Sequence, residues 1–322
     1  PNGPVADVET DLHGSLLNYI LPAPPAEPVD AVNAALNLLD LAHDQVIVPA
    51  FCAVWRAVLG GTDCSLHLVG QTGVFKTELA ALLQQHLGSA MDARHLPGSW
   101  TSTGNSLEVL AFGAKDAPLV IDDFSPGGNV YDVQRMHREA DRVLRGQGNR
   151  SARGRLRPDG TLRPTKPPRA LIISTGEDVP KGQSLRSRLL IVELEEQHIS
   201  VEKLSGCQQD ASTGLYAQAM SAFIKWLAPQ YDEIQKSLPA LRAKLRDTAT
   251  QSDSHRRTPA IVADLFIGAH LILKFAQHIG AIADEHRDAL ESRVWLALGQ
   301  VAASQAQHQA ASDPARRFVE LL

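Results

Sequence analysis

Cysteine is scarce: only Cys52, Cys64 and Cys207 occur among 322 residues, and their spacing fits neither a metal site nor a disulfide framework. That excludes a stapled secreted scaffold and fits a reducing cytoplasm. Aromatic residues supply just 5% of the chain, yet 44% of it is hydrophobic and the formal net charge is −5, which excludes a disordered or membrane-embedded protein. No apolar run is read as long enough to span a bilayer, and no signal-peptide pattern opens the chain, so no membrane association is expected. The twelve histidines are scattered and none is assigned to a metal. His67 is read as a packed core residue.

What is present is concentrated in Leu66-His-Leu-Val-Gly-Gln-Thr-Gly-Val-Phe-Lys-Thr77. An apolar strand runs into a glycine-bearing turn that ends in Lys-Thr and opens a helix. That order makes a phosphate cradle, because turn N–H groups and a helix N-terminus both face negative charge. Gly70, Gln71, Thr72, Gly73, Val74 and Phe75 form the loop, Lys76 reaches the β- and γ-phosphates, and Thr77 places a hydroxyl on Mg²⁺. The usual pattern has Gly before the Lys, where this chain has Phe75. A bulky residue there is expected to take ordinary backbone angles and to alter the loop slightly.

Downstream, Ala117-Pro-Leu-Val-Ile-Asp-Asp-Phe124 reads as a buried parallel strand ending in two carboxylates, at the end where open α/β sheets place ligands. Asp122 is expected to hold Mg²⁺ and Asp123 to orient the attacking water. A third strand, from Arg169 to Glu177, ends in Ser174 and Thr175, either of which is placed to contact the γ-phosphate or that water. Arg186 and Arg188 precede a further strand, where an arginine can point at the nucleotide of a neighbouring subunit.

This order of motifs resembles the AAA+ ATPases. More narrowly it resembles the helicase modules of phage, plasmid and genomic-island replication proteins, related to the Cch and MCM helicases. The narrower resemblance rests on Gly70–Thr77, where Phe before Lys is familiar, Leu96-Pro-Gly-Ser-Trp-Thr-Ser-Thr-Gly-Asn105, Val120–Phe124, Arg145-Gly-Gln-Gly-Asn-Arg150 and Ser174-Thr-Gly-Glu-Asp178. It implies an α/β fold with a P-loop AAA+ parallel sheet flanked by helices, a short helical lead-in and an all-helical C-terminal region. It also implies ATP and Mg²⁺ as ligands, single-stranded or forked DNA as partner, a homo-oligomeric ring, a hexamer, and a fused or associated primase-polymerase. A lid arginine acting as a second nucleotide sensor is assigned to Arg256 or Arg257, with solvated helix-start arginines as the alternative.

Residues 1–28 read as a linker from a preceding module, with the proline-rich stretch Leu21-Pro-Ala-Pro-Pro-Ala-Glu-Pro28 unlikely to pack as a helix. Residues 29–200 read as the ATPase core, with Pro49 marking a break or a start in its lead-in helix. Residues 201–322 read as a helical lid or bundle, with Trp226, Phe266, Phe275 and Trp295 in its core. Asn105-Ser-Leu-Glu108 reads as a helix start capped by Asn105. The chain starts at Pro1 and ends in the amphipathic Pro314–Leu322, so an excised central domain is expected.

One stretch departs from the acidic average. Between Arg145 and Arg169 the only acid besides eight cations is Asp159, and Arg155-Leu-Arg-Pro-Asp-Gly-Thr-Leu-Arg163 has the Asp-Gly turn of a hairpin. Its position resembles the pre-sensor hairpin of MCM-like helicases, which implies that Arg153, Arg155, Arg157, Arg163 and Lys166 meet DNA phosphates. Contact with a neighbouring subunit is the alternative, Arg145 and Arg150 above all. Three functions remain: a DNA-translocating ATPase, a nucleotide-controlled DNA-binding platform with slow hydrolysis, and a small-molecule kinase, against which the basic hairpin and helical annex argue.

Overall fold

The computed structural model describes residue 10, residues 12–250 and residues 257–310. Apolar runs form strands β1 (Ser65–Val69), β3 (Pro118–Phe124), β4 (Leu171–Gly176) and β5 (Leu189–Glu193), and a two-residue strand, β2 (Gly98–Ser99), adds to one edge. All pair in parallel, in the order β2-β3-β4-β1-β5. The strand that feeds the glycine-bearing turn therefore lies inside the sheet.

Strand side chains alternate between faces. Leu66, Leu68, Val120, Ile173, Leu190 and Val192 point into one core, and Val69, Leu119, Ile121, Ile172, Leu189 and Ile191 into another. The second core is closed by α4 (Gly104–Gly113) and α5 (Val130–Asn149), through Leu107, Ala111, Ala140, Val143 and Leu144. The first is closed by α1 (Val29–Asn37), α2 (Asp44–Ala57) and α3 (Lys76–Gln84), together with helices from beyond the sheet.

After the short α6 (Gln183–Arg186) and β5 come α7 (Val201–Ser212), α8 (Leu215–Leu227), α9 (Tyr231–Ala249), α10 (Thr258–His278) and α11 (Asp284–Ala310). They share one core with α1 and α2. Gly268 of α10 lies so close to α2 that a Cβ there would come within 2.6 Å of the Cys52 carbonyl oxygen. Asp264 of α10 is buried against Arg56 of α2 at 3.1 Å and Arg242 of α9 at 2.7 Å. Gln305 of α11 accepts from Ile191 N at 3.0 Å and donates to Leu189 O at 2.9 Å, which covers the open edge of β5.

Several expectations change. α2 runs unbroken through Pro49, because the helix is buried from Val46 to Ala57 and that packing outweighs the roughly 3 kcal/mol a mid-helix proline costs. α10 is long and apolar enough to cross a membrane, with a mean hydropathy of 1.6 over its most apolar window, so the reading that no run reaches that length is corrected. It is a core helix, since 78% of that window is buried. Thr103, and not Asn105, caps α4 by accepting from Ser106 N. Asn105 instead accepts from Arg142 and Arg155. Phe275 is buried in the helical core, whereas Trp226, Phe266 and Trp295 are half-buried against it. Residues 21–28 are not helical, and Pro22 O accepts from Ser221 Oγ at 2.7 Å. The amphipathic Pro314–Leu322 lies outside the described residues.

Candidate phosphate-binding cleft

The loop after β1 is shaped by close approaches that only small residues allow. A Cβ on Gly70 would sit 2.3 Å from Leu194 O, and Gly73 has φ of +93°. Phe75 also adopts the left-handed conformation, with φ 63° and ψ 24°. The expectation of ordinary angles is corrected: the backbone keeps the conformation a glycine would take, at a cost of roughly 1–2 kcal/mol to an L-residue. The half-buried ring packs against the main core, which offsets that cost.

Lys76 and Thr77 open α3 and face a cleft of about 400 Å³ that Thr72, Asp122, Asp123, Thr175 and Glu177 also line. Lys76 Nζ donates to Gln71 O at 2.6 Å. Desolvation pushes its ammonium below the ordinary value, opposed by Glu177, Asp122 and Asp123. Thr77 Oγ1 donates to Asp122 Oδ1 at 3.1 Å, and the Thr175 hydroxyl donates to the same oxygen. Four carboxylates, Glu78, Asp122, Asp123 and Glu177, against one lysine leave the cleft net negative, a charge that suits a divalent cation. Among the described residues no three His, Cys, Asp or Glu side chains gather as a metal set of their own. A hard cation bound by one carboxylate, one hydroxyl and phosphate oxygens fits better, as Mg²⁺ sites commonly are.

Both Asp122 and Asp123 reach this cleft only because β3 is irregular. From Ile121 to Phe124 the strand advances three residues while β4 advances two, from Ser174 to Gly176. Asp123 occupies this bulge with φ 66°, and its N–H donates to Thr175 Oγ1 at 3.0 Å. Regular alternation would send it to the other face.

The same alternation separates Ser174 from Thr175, and the expectation for Ser174 is corrected. Its hydroxyl lies on the far face, buried between His67 Nδ1 at 2.9 Å and Trp100 Nε1 at 2.8 Å. Asp178 O can only accept, so His67 Nε2, 2.9 Å away, carries the proton and Nδ1 accepts from Ser174. Burial pushes this imidazole down to about 4. His67 is therefore the packed neutral residue its position on the strand suggests.

Glu177 is a cleft residue to which the sequence assigned no role. Its carboxylate accepts from the Thr72 hydroxyl and, at 3.4 Å, from Ser125 Oγ. The available signal was its position, an acid directly past the carboxyl end of a parallel strand. A second cavity of about 570 Å³ flanks the other side of the loop, between Gly70–Val74 and Leu194–Glu196.

The arginines lie elsewhere. Arg188 stands at the amino-terminal edge of β5, where its carbonyl accepts from Ser65 N at 3.0 Å. That is the rim of the sheet opposite Lys76. Asn149 holds its guanidinium at 2.8 Å, and Gly148 leaves room for it, since a Cβ there would meet Arg188 Cδ at 2.4 Å. Gln147 is buried and donates to Thr62 O at 3.1 Å. The Arg145–Arg150 motif thus builds the seat of Arg188. Arg186 is nearby, donating to Pro180 O at 3.4 Å. Desolvation, then Arg257 and Arg145, push the Arg188 guanidinium below its ordinary value, and Arg257 is not among the residues that line the Lys76 cleft. Arg256 is outside the described residues.

The basic stretch forms a short hairpin in which Leu156 bridges Leu162 and Arg163 N donates to Arg155 O at 2.7 Å. Of the Asp-Gly pair only Gly160 has positive φ, +79°, and with Arg157 N donating to Thr161 O at 2.7 Å the turn is a three-residue loop over Pro158–Gly160. Arg155 is anchored to α4 by Glu108 at 2.5 Å. Among the described residues Arg153, Arg157 and Arg163 make no ion pair, and Lys166 lies 5.6 Å over the Phe112 ring. Leu156 and Leu162 stand 64% and 70% exposed at the tip.

No protein-family model matches the chain, and no curated protein matches it in sequence. Among solved structures it is similar to an active helicase, SCCmec type IV Cch, at a TM-score of 0.52 and 14% identity. That match covers 95% of this chain but 53% of the other, so the chain spans about half that protein's length. A JCV helicase matches with a TM-score of 0.29 and 13% identity over 76% of this chain and 74% of its own. At these identities the first likeness concerns the fold alone: a helicase-like α/β fold with a five-stranded parallel sheet flanked by helices.

Proposed function

We propose that the chain is the ATP-hydrolysing helicase or translocase module of a mobile-element replication protein, of the P-loop AAA+ type. The observation that carries this reading is the convergence of Lys76, Thr77, Asp122 and Thr175 at the carboxyl rim of one parallel sheet. The interior position of β1 and the left-handed turn before Lys76 support it further.

In this reading the loop N–H groups of residues 70–75 and Lys76 hold the phosphates of ATP. Thr77 and Asp122 would hold Mg²⁺, which would supply a positive charge to neutralise the phosphoryl oxygens. Asp123 accepts a hydrogen bond from the attacking water and so aims it at the γ-phosphate. Thr175 fixes both aspartates, through the Asp122 carboxylate and the Asp123 N–H. Arg188 and Arg186 serve the nucleotide of the next subunit in a ring, a hexamer by resemblance. Arg153, Arg157, Arg163 and Lys166 contact single-stranded or forked DNA, while Arg155 fixes the hairpin that carries them. Residues 29–200 form the ATPase core and 201–322 its helical annex, in a longer cytoplasmic protein with a primase-polymerase module.

Lys76→Ala is expected to abolish ATP turnover while leaving the fold intact by circular dichroism. Undiminished turnover would remove the site. The second reading, a DNA-binding or assembly platform with slow hydrolysis, is favoured by an aspartate where glutamate is usual. ATP-driven strand displacement separates the two, since a platform binds DNA in response to nucleotide and does not unwind it.

A further inference from the structure

A sizeable cavity among the described residues is remote from the phosphate cleft. It encloses about 950 Å³ between the segment around Leu16, the end of α4, the start of β3 and the junction of α8 with α9. Leu16, Val58, Leu110, Phe112, Leu227 and Tyr231 give it apolar walls. A site of this size and lining is typical of small-molecule pockets, which pair an apolar body with a few placed polar groups.

Its polar groups are placed at one side. Lys166 and Arg169 both line the cavity and both lie over the Phe112 ring, Lys166 with Nζ 5.6 Å and Arg169 with Cζ 3.7 Å from its centre. Arg169 Nε donates to Phe112 O at 2.8 Å, which fixes the guanidinium and turns its remaining N–H groups away from that carbonyl. Neither cation has a carboxylate partner among the described residues. Desolvation pushes the Arg169 guanidinium below its ordinary value, a pressure that an anion would relieve. Among the described residues the one acid on the rim, Asp116, is engaged by Lys115.

We infer that this cavity binds an amphipathic carboxylate, its apolar chain between Leu16, Leu110 and Leu227 and its head group on Arg169 and Lys166. The occupant would join the N-terminal segment to the stem of the basic hairpin, because Lys166 and Arg169 lie between that hairpin and β4. It would give the molecule a control point independent of nucleotide.

The test uses the whole chain without nucleotide, so its result stands apart from the ATPase reading. Octanoate, decanoate and dodecanoate, titrated calorimetrically below their micelle concentrations, should bind about fourfold tighter per added methylene, the equivalent of ~0.8 kcal/mol. Decanol, which has no charged head, should bind about tenfold more weakly than decanoate, as should decanoate to Lys166→Gln or Arg169→Gln. Ala228→Trp, at an exposed lining position, should block binding without unfolding the chain. Affinity that ignores chain length, equal binding of decanol and decanoate, or undiminished binding in Ala228→Trp would each overturn the assignment.

Discussion

Replacing Phe75 by glycine and, separately, by valine probes the backbone of the phosphate loop. Holding an L-residue at φ 63° costs roughly 1–2 kcal/mol, which glycine avoids. Against that gain, glycine adds about 0.4–1 kcal/mol of freedom to the unfolded chain. It also gives up the half-buried ring, a loss of about 1 kcal/mol. These terms nearly cancel, so Phe75→Gly should leave the unfolding free energy within about 1 kcal/mol of the parent. Valine loses much of the ring and still faces the left-handed region, which its branched Cβ tolerates worst. It should fall about 2 kcal/mol below the glycine variant in stability. A loop driven out of the left-handed turn would also misdirect its N–H groups, so ATP affinity should drop about tenfold or more for valine and change little for glycine. Urea unfolding followed by tryptophan fluorescence and titration with a fluorescent ATP analogue measure both quantities. Valine and glycine variants of equal stability and equal affinity would refute the left-handed assignment at residue 75.

Burial holds His67 and His86 at about 4, below the 6.5 of the unfolded chain, so between those values the unfolded state binds more protons and stability falls as pH falls. Each contributes up to about 1.4 kcal/mol per pH unit, and His86→Phe should make the decline in urea midpoint from pH 7 to pH 5 measurably shallower; an unchanged decline would contradict this. Asp264→Asn leaves the buried Arg56 without its counter-charge and should cost about 3–5 kcal/mol in thermal or denaturant unfolding, whereas a loss below about 1 kcal/mol would deny the buried pair its role. Removing charge at Arg157 and Arg163 together should weaken single-stranded DNA binding and flatten its log–log salt dependence by about 1.4, a change the platform and the translocase would share. An unaltered salt slope would take the hairpin away from DNA.

Much of the sheet was legible, because its strands are apolar runs ending in chemistry: glycines and Lys after β1, aspartates at the end of β3, hydroxyls at the end of β4. What was not legible depends on register and on long-range packing. Choosing Thr175 over Ser174 requires knowing which face of β4 looks toward α3, and a sequence with both hydroxyls leaves that open. That Asp122 and Asp123 share a cleft rests on a single extra residue in β3, which no residue type announces. Pro49 stays helical and the apolar α10 stays inside because partners far along the chain surround them. Asn105 lost the cap of α4 to Thr103 because the helix starts at Gly104, which puts Asn105 inside it, where its amide oxygen accepts from Arg142 and Arg155. Glu177 was visible as an acid at a strand end but had no spacing pattern to mark it. Gln305 covers the edge of β5 from more than a hundred positions away in the chain, beyond any local pattern.

Placing the arginine seat and the carboxylate-lined cleft on opposite rims of one sheet restricts how copies can associate. A two-fold axis through either rim would press like charge against like, cation facing cation or acid facing acid. In the proposed assembly, copies repeating in a single direction would bring each arginine rim to the cleft of the next, leaving one unmatched surface at either end. A row of that kind can grow without limit as a filament, and only a rotation that returns it to its start would give the ring proposed above.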